Sequence, residues 1–296
     1  MTQLEDALVD LAIAVVAMIA VFVPLERVLP ARPQGHVRPG LSLDVTFLIF
    51  QYLVMVGVMV WFNSRLQLFL GPLGPAAMVK RVHALPVVLQ VLLVTVLGDV
   101  LLYWAHRACH VFPLLWRFHA VHHSSTHLDW IAAHREHPLD GLYSQLWLNL
   151  PAVVLGVDVT AVGPLLVLRS LCAVFVHSNV RVDLGWVGLL LGDPVLHRWH
   201  HARADHCRHN FANLAPYLDI IFGTHHRPLD ENYPLGVTES VPRGFLRQLL
   251  HPLIPSPFLT SDAPRSTSAN PGPPPKLMPP PFRAEAVVTA PGTGTP

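Results

Sequence analysis

Sixteen of the chain's 19 histidines fall between His106 and His226, and most of them come in tight groups. The first group is His106-Arg107-Ala108-Cys109-His110. The second is His119-Ala120-Val121-His122-His123, and far downstream comes His197-Arg198-Trp199-His200-His201. Residues three and four apart share one face of a helix, so each group can aim two or three imidazoles at a single point. Neutral imidazole is a borderline ligand that suits iron, zinc, copper and nickel. Eight imidazoles are too many for one four- to six-coordinate ion and about right for two. Neighbours such as His122 and His123 diverge by about 100° on a helix, so one group can serve both metals of a pair.

The elements that must carry these groups are apolar. The chain has 296 residues, of which 52% are hydrophobic and only 13% charged, against about one quarter charged in an ordinary soluble domain. Leu11 to Leu29 is long enough to span a bilayer and follows a start without basic residues, so it reads as an uncleaved anchor rather than a signal peptide. Arg27, Arg32 and Arg38 follow it, which puts the N-terminus outside and the first loop in the cytoplasm. A second span is expected from about Leu43 to Phe62. A third, from about Leu85 to Trp104, delivers His106 to the cytoplasmic face. The loop between them carries Arg65, Lys80 and Arg81 against this orientation, but the arginines after His177 outweigh it. Leu142 to Leu155 and Val159 to Val176 form an apolar hairpin about Gly156-Val157-Asp158, read either as a tilted pair of spans or as a re-entrant pair. Both of its ends return to the histidine side, so His177 becomes a ninth candidate ligand. Trp186 to Leu191 is interfacial, and Gly244 to Leu253 is a short amphipathic surface helix.

Ionisable residues within spans are functional candidates by default. Asp99 lies two helical turns before His106, where its carboxylate can accept the second N–H of a ligating histidine. The competing role for Asp99 is an ion pair with Arg169. His134 and His137 flank Arg135-Glu136 and are candidates for a ligand or for a hydrogen-bonding group behind one. An apolar substrate cleft is expected between the third span and the hairpin.

Several classes of function are excluded. A net charge of +1 and the lack of a Lys/Arg run give no field for nucleic acid. The three cysteines are far apart and form no CxxC. There is no Ser/His/Asp elbow, no glycine-rich phosphate loop and no Glu-x-x-His pair of the carboxylate di-iron type. From Pro255 the chain turns rich in Pro, Ser, Thr and Gly, a composition expected to stay disordered. Arginine outnumbers lysine 18 to 2, as in proteins of GC-rich bacterial genomes.

Several motifs in order carry a family resemblance. They are Asp99…Tyr103-Trp104-Ala105-His106…His110, Leu115-Trp116-Arg117-Phe118-His119…His122-His123-Ser124 and Arg135-Glu136-His137-Pro138. His177-Ser178-Asn179, Pro194…His197-Arg198-Trp199-His200-His201, Asn210-Phe211 and Leu218-Asp219-Ile220-Ile221-Phe222-Gly223-Thr224 complete the series. Over about residues 95 to 228 the chain resembles the fatty acid hydroxylase / sterol desaturase superfamily of integral membrane oxygenases. The resemblance implies an all-histidine di-iron centre (zinc being an alternative occupant on purification), O2 and a membrane lipid as substrates, and hydroxylation or desaturation as the reaction. It implies His106, His110, His119, His122, His123, His177, His197, His200 and His201 as ligands. It also implies one further ligand; Ala173 and Arg181 occupy the helical positions flanking His177, leaving His137, His134 or Asn210. The sequence has no flavin, Rossmann or CxxCH signature, so electrons must come from a separate ferredoxin or cytochrome-type donor with its reductase.

The expectation is therefore an all-α, multi-pass membrane bundle of about four to five spans with a cytoplasmic helical cap holding a di-metal histidine site, in a bacterial inner membrane. Residues 1–84 form N-terminal transmembrane helices, 85–230 the catalytic domain, 231–254 an interfacial segment and 255–296 the tail. The competing function is a membrane metal-binding or transport protein without oxygenase activity, which would line a path through the bilayer with its ligands.

Overall fold

Among the described residues, three helices are long and apolar enough to cross a bilayer: Leu11–Val28 within α1 (Gln3–Val28), Leu41–Leu73 and Val87–Val111. The computed structural model describes residues 3–35, 37–182, 184–203 and 208–254; the Pro-rich tail, His206 and Cys207 lie outside the described residues. Among those described, the regular elements are helical, and the only β pairing is two isolated bridges, Pro30 with Val180 and Ala202 with Leu235.

The second span is longer than the hydropathy suggested. Helix α2 (Leu41–Phe50), one π turn at Gln51–Met55 and α3 (Val56–Leu70) run on without a break. Asn63, Ser64 and Arg65 are polar but helix-compatible, so the helix ends only where Gly71 and Pro72 stop it. A short α4 (Ala76–His83) follows. Helix α5 (Val87–Val111) starts behind Pro86 and ends at Phe112, which is extended as expected for a residue before proline. Its 25 residues make about 37 Å against a hydrocarbon thickness of about 30 Å. The last turns, with His106 and His110, thus belong to the span's own end rather than to a loop beyond it.

Proline sets the phase of the helices around the histidines. Pro113 opens α6 (Pro113–His123), Pro138 opens α7 (Pro138–Leu155) and Pro194 opens α10 (Pro194–His200). At the first helical position proline gives up an N–H that has no partner anyway, and its fixed φ suits the helix. The hairpin is α7 and α8 (Val159–His177), turned at Gly156, whose φ of 68° is left-handed. It reaches the far end of the bundle: His83 Nε2 donates to the Gly156 carbonyl at 2.9 Å. Short helices α9 (Gly185–Leu191), α11 (Tyr217–Ile221) and α12 (Phe245–Leu250) complete the cap. The surface helix expected over 244–253 is partly built into the fold. Phe245 meets Phe47 and Phe50 edge-on at 4.9 and 5.1 Å, while Leu246 and Leu250 stay exposed.

Where a cleft is expected between the third span and the hairpin, the described helices meet closely at two points. Gly98 of α5 lies so near α7 that a Cβ there would sit 2.6 Å from the Leu148 carbonyl oxygen. On the other side Asp99 pairs with Arg169 of α8 at 2.5 Å. A cavity of about 320 Å³ lies elsewhere, between α1, the start of α2 and the segment 129–131.

Gly98→Val should force α5 and α7 apart and cost about 1–3 kcal/mol, the usual range for overpacking. Thermal unfolding in detergent should show a lowered midpoint; an unchanged midpoint would mean that the two helices do not need this contact.

Candidate metal centre

The nine histidines converge from four helices. His106 and His110 stand one turn apart on the last turns of α5, and His119, His122 and His123 end α6. His177 is the last residue of α8, and His197, His200 and His201 lie on α10 and its C-terminal cap. They form two groups in which the candidate donor atoms lie within 4.8 Å of one another: His106, His110, His119, His123 and His200 in one, His122, His177, His197 and His201 in the other. The adjacent residues His122 and His123 go to different groups, as do His200 and His201. His123 and His201 stack at 4.2 Å between ring centroids and so line the boundary between the groups.

The hydrogen bonds define which ring nitrogen is free. A carbonyl oxygen only accepts, so a ring nitrogen bonded to one must carry the proton. The Nδ1–H groups of His106, His122, His177 and His200 donate to the carbonyls of Phe211 (2.7 Å), Arg135 (2.9 Å), Ala173 (2.6 Å) and His209 (2.7 Å). His119 Nδ1–H donates to the Asp140 carboxylate at 2.9 Å. In the neutral form of these five rings, the form that binds metal, the Nε2 atoms carry bare lone pairs. Yet His106 Nε2 lies 2.9 Å from His119 Nε2 and 3.1 Å from His200 Nε2, and His122 Nε2 lies 3.1 Å from His177 Nε2. No proton is available for these contacts, and two lone pairs at that distance repel unless a cation lies between them. Nitrogens each about 2.1 Å from one ion and at right angles about it would be about 3.0 Å apart. The residues fit two metal ions.

Burial keeps the rings outside the spans in the ligand form. It pushes His122 down to about 4. Burial likewise holds His123, His197, His200 and His201 well below the usual imidazole range, reinforced by neighbouring imidazoles.

The groups that orient these rings are largely ones that sequence spacing does not reveal. Asp140 is 4% exposed, in the first turn of α7, and only its contact with His119 identifies it. Its one advance signal is an ionisable residue at the mouth of an apolar hairpin. The Phe211 carbonyl that fixes His106 is itself placed by Asp219, whose carboxylate accepts from the backbone N–H of Phe211 at 2.8 Å and of Ala212 at 3.0 Å. The Arg135 carbonyl that fixes His122 belongs to a buried ion network. Arg135 pairs with Asp44, Asp44 with Arg38 at 2.7 Å, and Arg38 with Asp129. Asp193 caps α10 by accepting from Val195 N–H at 2.7 Å.

The remaining sequence candidates are placed in other roles. The orienting role expected of Asp99 is corrected: its carboxylate is committed to Arg169, while His106 turns to Phe211. His137 caps α7, accepting at Nδ1 from Leu139 N–H at 3.1 Å and donating from Nε2 to the Leu249 carbonyl at 3.0 Å, so neither nitrogen is left for a metal. Asn210 has a left-handed φ of 58° and spends its amide on the Leu196 and His226 backbone. His134 lies against Tyr52, with ring centroids 5.8 Å apart, and joins neither group. Among the described residues the arrangement is thus five imidazoles and four, without a tenth.

Residues 91–224 match the family model of the fatty acid hydroxylases. The chain is 33% identical over 169 residues to the ornithine lipid hydroxylase OlsE of Rhizobium tropici, covering 56% of this chain and 51% of that one. It is 31% identical over 143 residues to the alkylglycerol monooxygenase of Danio rerio (46% and 32%). It is 29% identical over 144 residues to the very-long-chain aldehyde decarbonylase GL1-11 of Oryza sativa subsp. indica (48% and 54%). The match thus spans about half or less of the length of these curated relatives. No solved structure matches the chain.

Two outcomes follow. Asp140→Asn keeps the side chain's shape but removes the charge behind His119, and should weaken metal affinity about 10- to 100-fold. Metal titration of the purified variant checks this, and wild-type affinity would show Asp140 to be only a packing group. Acid should also destabilise the metal-free protein. An imidazole such as His122, near 4 in the fold and 6.5 in the open chain, binds fewer protons when folded. Stability is then full above pH 6.5 and is lost as pH falls toward 4. A melting temperature flat across that window would contradict it.

Proposed function

We propose that this chain, a membrane protein whose residues 91–224 match the family model of the fatty acid hydroxylases, is an O2-dependent lipid hydroxylase working with two histidine-bound irons. The observation that carries this reading is the set of Nε2 lone pairs facing one another near 3 Å in two adjoining groups. When bound, two irons supply the O2 activation and two-electron chemistry that no side chain can provide. The chain's residues hold the neutral rings, fix their tautomers and keep the site buried. His106, His110, His119, His123 and His200 hold one ion, and His122, His177, His197 and His201 the other. Asp140 keeps the proton on His119 Nδ1, and the ion network of Asp44, Arg38 and Arg135 keeps His122 turned inward.

Hydroxylation is favoured over desaturation because two of the relatives named above are a hydroxylase and a monooxygenase. Their names also point to polar-headed lipids as the class of substrate. Each turnover that inserts one oxygen atom of O2 and reduces the other to water consumes two electrons and two protons, for which a separate ferredoxin or cytochrome-type donor with its reductase is the partner. The site belongs on the cytoplasmic side of a bacterial inner membrane. Exposed Arg27, Arg181, Arg203, Arg208, Arg227, Arg243 and Arg247 flank the histidine-bearing elements, against Arg65, Lys80 and Arg81 at the far loop. Clustering of all nine rings at one end of the spans disfavours a transport path.

His122→Ala should abolish O2-dependent oxidation of membrane lipid when the purified protein is supplied with an electron donor, read as O2 consumption and oxidised lipid by mass spectrometry. Retained oxidation in that variant would sink the proposal.

A further inference from the structure

The cavity of about 320 Å³ plays no part in holding the histidines, yet its size is that of a small-molecule site. Its apolar side is built from Ile19 and Val23 of α1, facing Trp130 and Ile131. Glu26 comes next on α1 and also lines the cavity. Positions 19, 23 and 26 share one helix face, so the wall passes from apolar to acidic toward the cytoplasmic end of the span. That is the profile of an amphiphile lying beside the helix, with its chain in the hydrocarbon and its head at the boundary.

Glu26 has unspent capacity. Its Oε1 accepts from the backbone N–H groups of Trp130 and Asn179, both at 2.9 Å. Among the described residues Oε2 has no hydrogen-bond partner, and no cation lies within 4 Å of the carboxylate. Asp129, the other acid on the lining, is already neutralised by Arg38. Arg27 also lines the cavity, but its side chain is exposed and water screens it. A carboxylate at the end of an apolar slot, without a counter-ion, repels an anionic head and attracts a cationic one.

We infer that this cavity holds the head of a lipid bearing an ammonium group, with Glu26 as its counter-ion and Ile19 and Val23 along its chain. The cavity adjoins the four-histidine group through two short segments. Asn179 lies two residues after His177, and Ile131 four before Arg135, whose carbonyl orients His122. That the lipid held here is the one oxidised rests on the oxygenase reading; that it binds does not.

The test is native mass spectrometry of the delipidated full chain, titrated with phosphatidylethanolamine or phosphatidylglycerol of identical acyl chains. The wild type should retain one phosphatidylethanolamine at least tenfold more tightly than phosphatidylglycerol. Glu26→Gln keeps an acceptor oxygen for the two backbone N–H groups, so it should lose this preference while its metal content stays at the wild-type level. Val23→Trp, which fills the slot, should abolish the tightly held lipid. Equal retention of the two lipids by the wild type, or a preference that survives Glu26→Gln, would overturn the inference. Because the readout is bound lipid and not turnover, that failure would leave the oxygenase proposal standing, and loss of turnover alone would leave this one standing.

Discussion

Lone pairs of neutral imidazoles are brought together without protons between them, and most of the cap exists to hold them so. The Nε2 contacts between rings that both donate from Nδ1, His106 with His119, His106 with His200 and His122 with His177, run from 2.9 to 3.1 Å. Each would be unfavourable in a metal-free, water-free site. They persist because the opposite ring nitrogen of His106, His119, His122, His177 and His200 is tied to an acceptor that cannot move. The acceptors are tied in turn: Phe211 through Asp219, and Arg135 through Asp44 and Arg38.

Such an arrangement needs rigid support, and the elements supply it by different means. Proline at the first position of α6, α7 and α10 fixes where each helix begins and hence which residues face inward. The buried network of Arg38, Asp44, Asp129 and Arg135 links the start of the second span to the segment behind His122. Removing one partner of such a network leaves an uncompensated buried charge, which typically costs about 3–5 kcal/mol. The backbone-close contact at Gly98 and the Asp99–Arg169 pair then lock the hairpin to α5. A cavity of about 320 Å³ lies apart from these contacts, beside α1.

The histidine groups, the helical class and the hairpin were legible in the sequence because each rests on local spacing: ligands one turn apart on a helix, and apolar runs of spanning length. His177 was legible because both hairpin ends must return to one side. What was not legible depends on contacts between distant residues. Asp140 gave no spacing signal, and Asp44 finds Arg135 across 91 positions. Asp99 shares a helix face with His106, but proximity along a helix does not say which neighbour a carboxylate will meet, and Arg169 arrives from another helix. His137 looked like a ligand by type, yet a residue before proline at a helix start is used as a cap. Asn210 follows the histidine motifs in sequence, but its left-handed backbone and spent amide mark a loop-shaping residue. Charge counts were blurred in the same way, since Arg38 and Arg198 are buried, Arg38 paired with Asp44 and Arg198 with Glu231.

The most direct test is X-ray absorption spectroscopy, with metal quantified on the same sample of iron-loaded, purified protein. Two irons per chain, each with imidazole nitrogens as the dominant nearest scatterers, is the result expected of five and four converging rings. A single metal per chain, or nearest neighbours that are mainly sulfur or carboxylate oxygen, would contradict it.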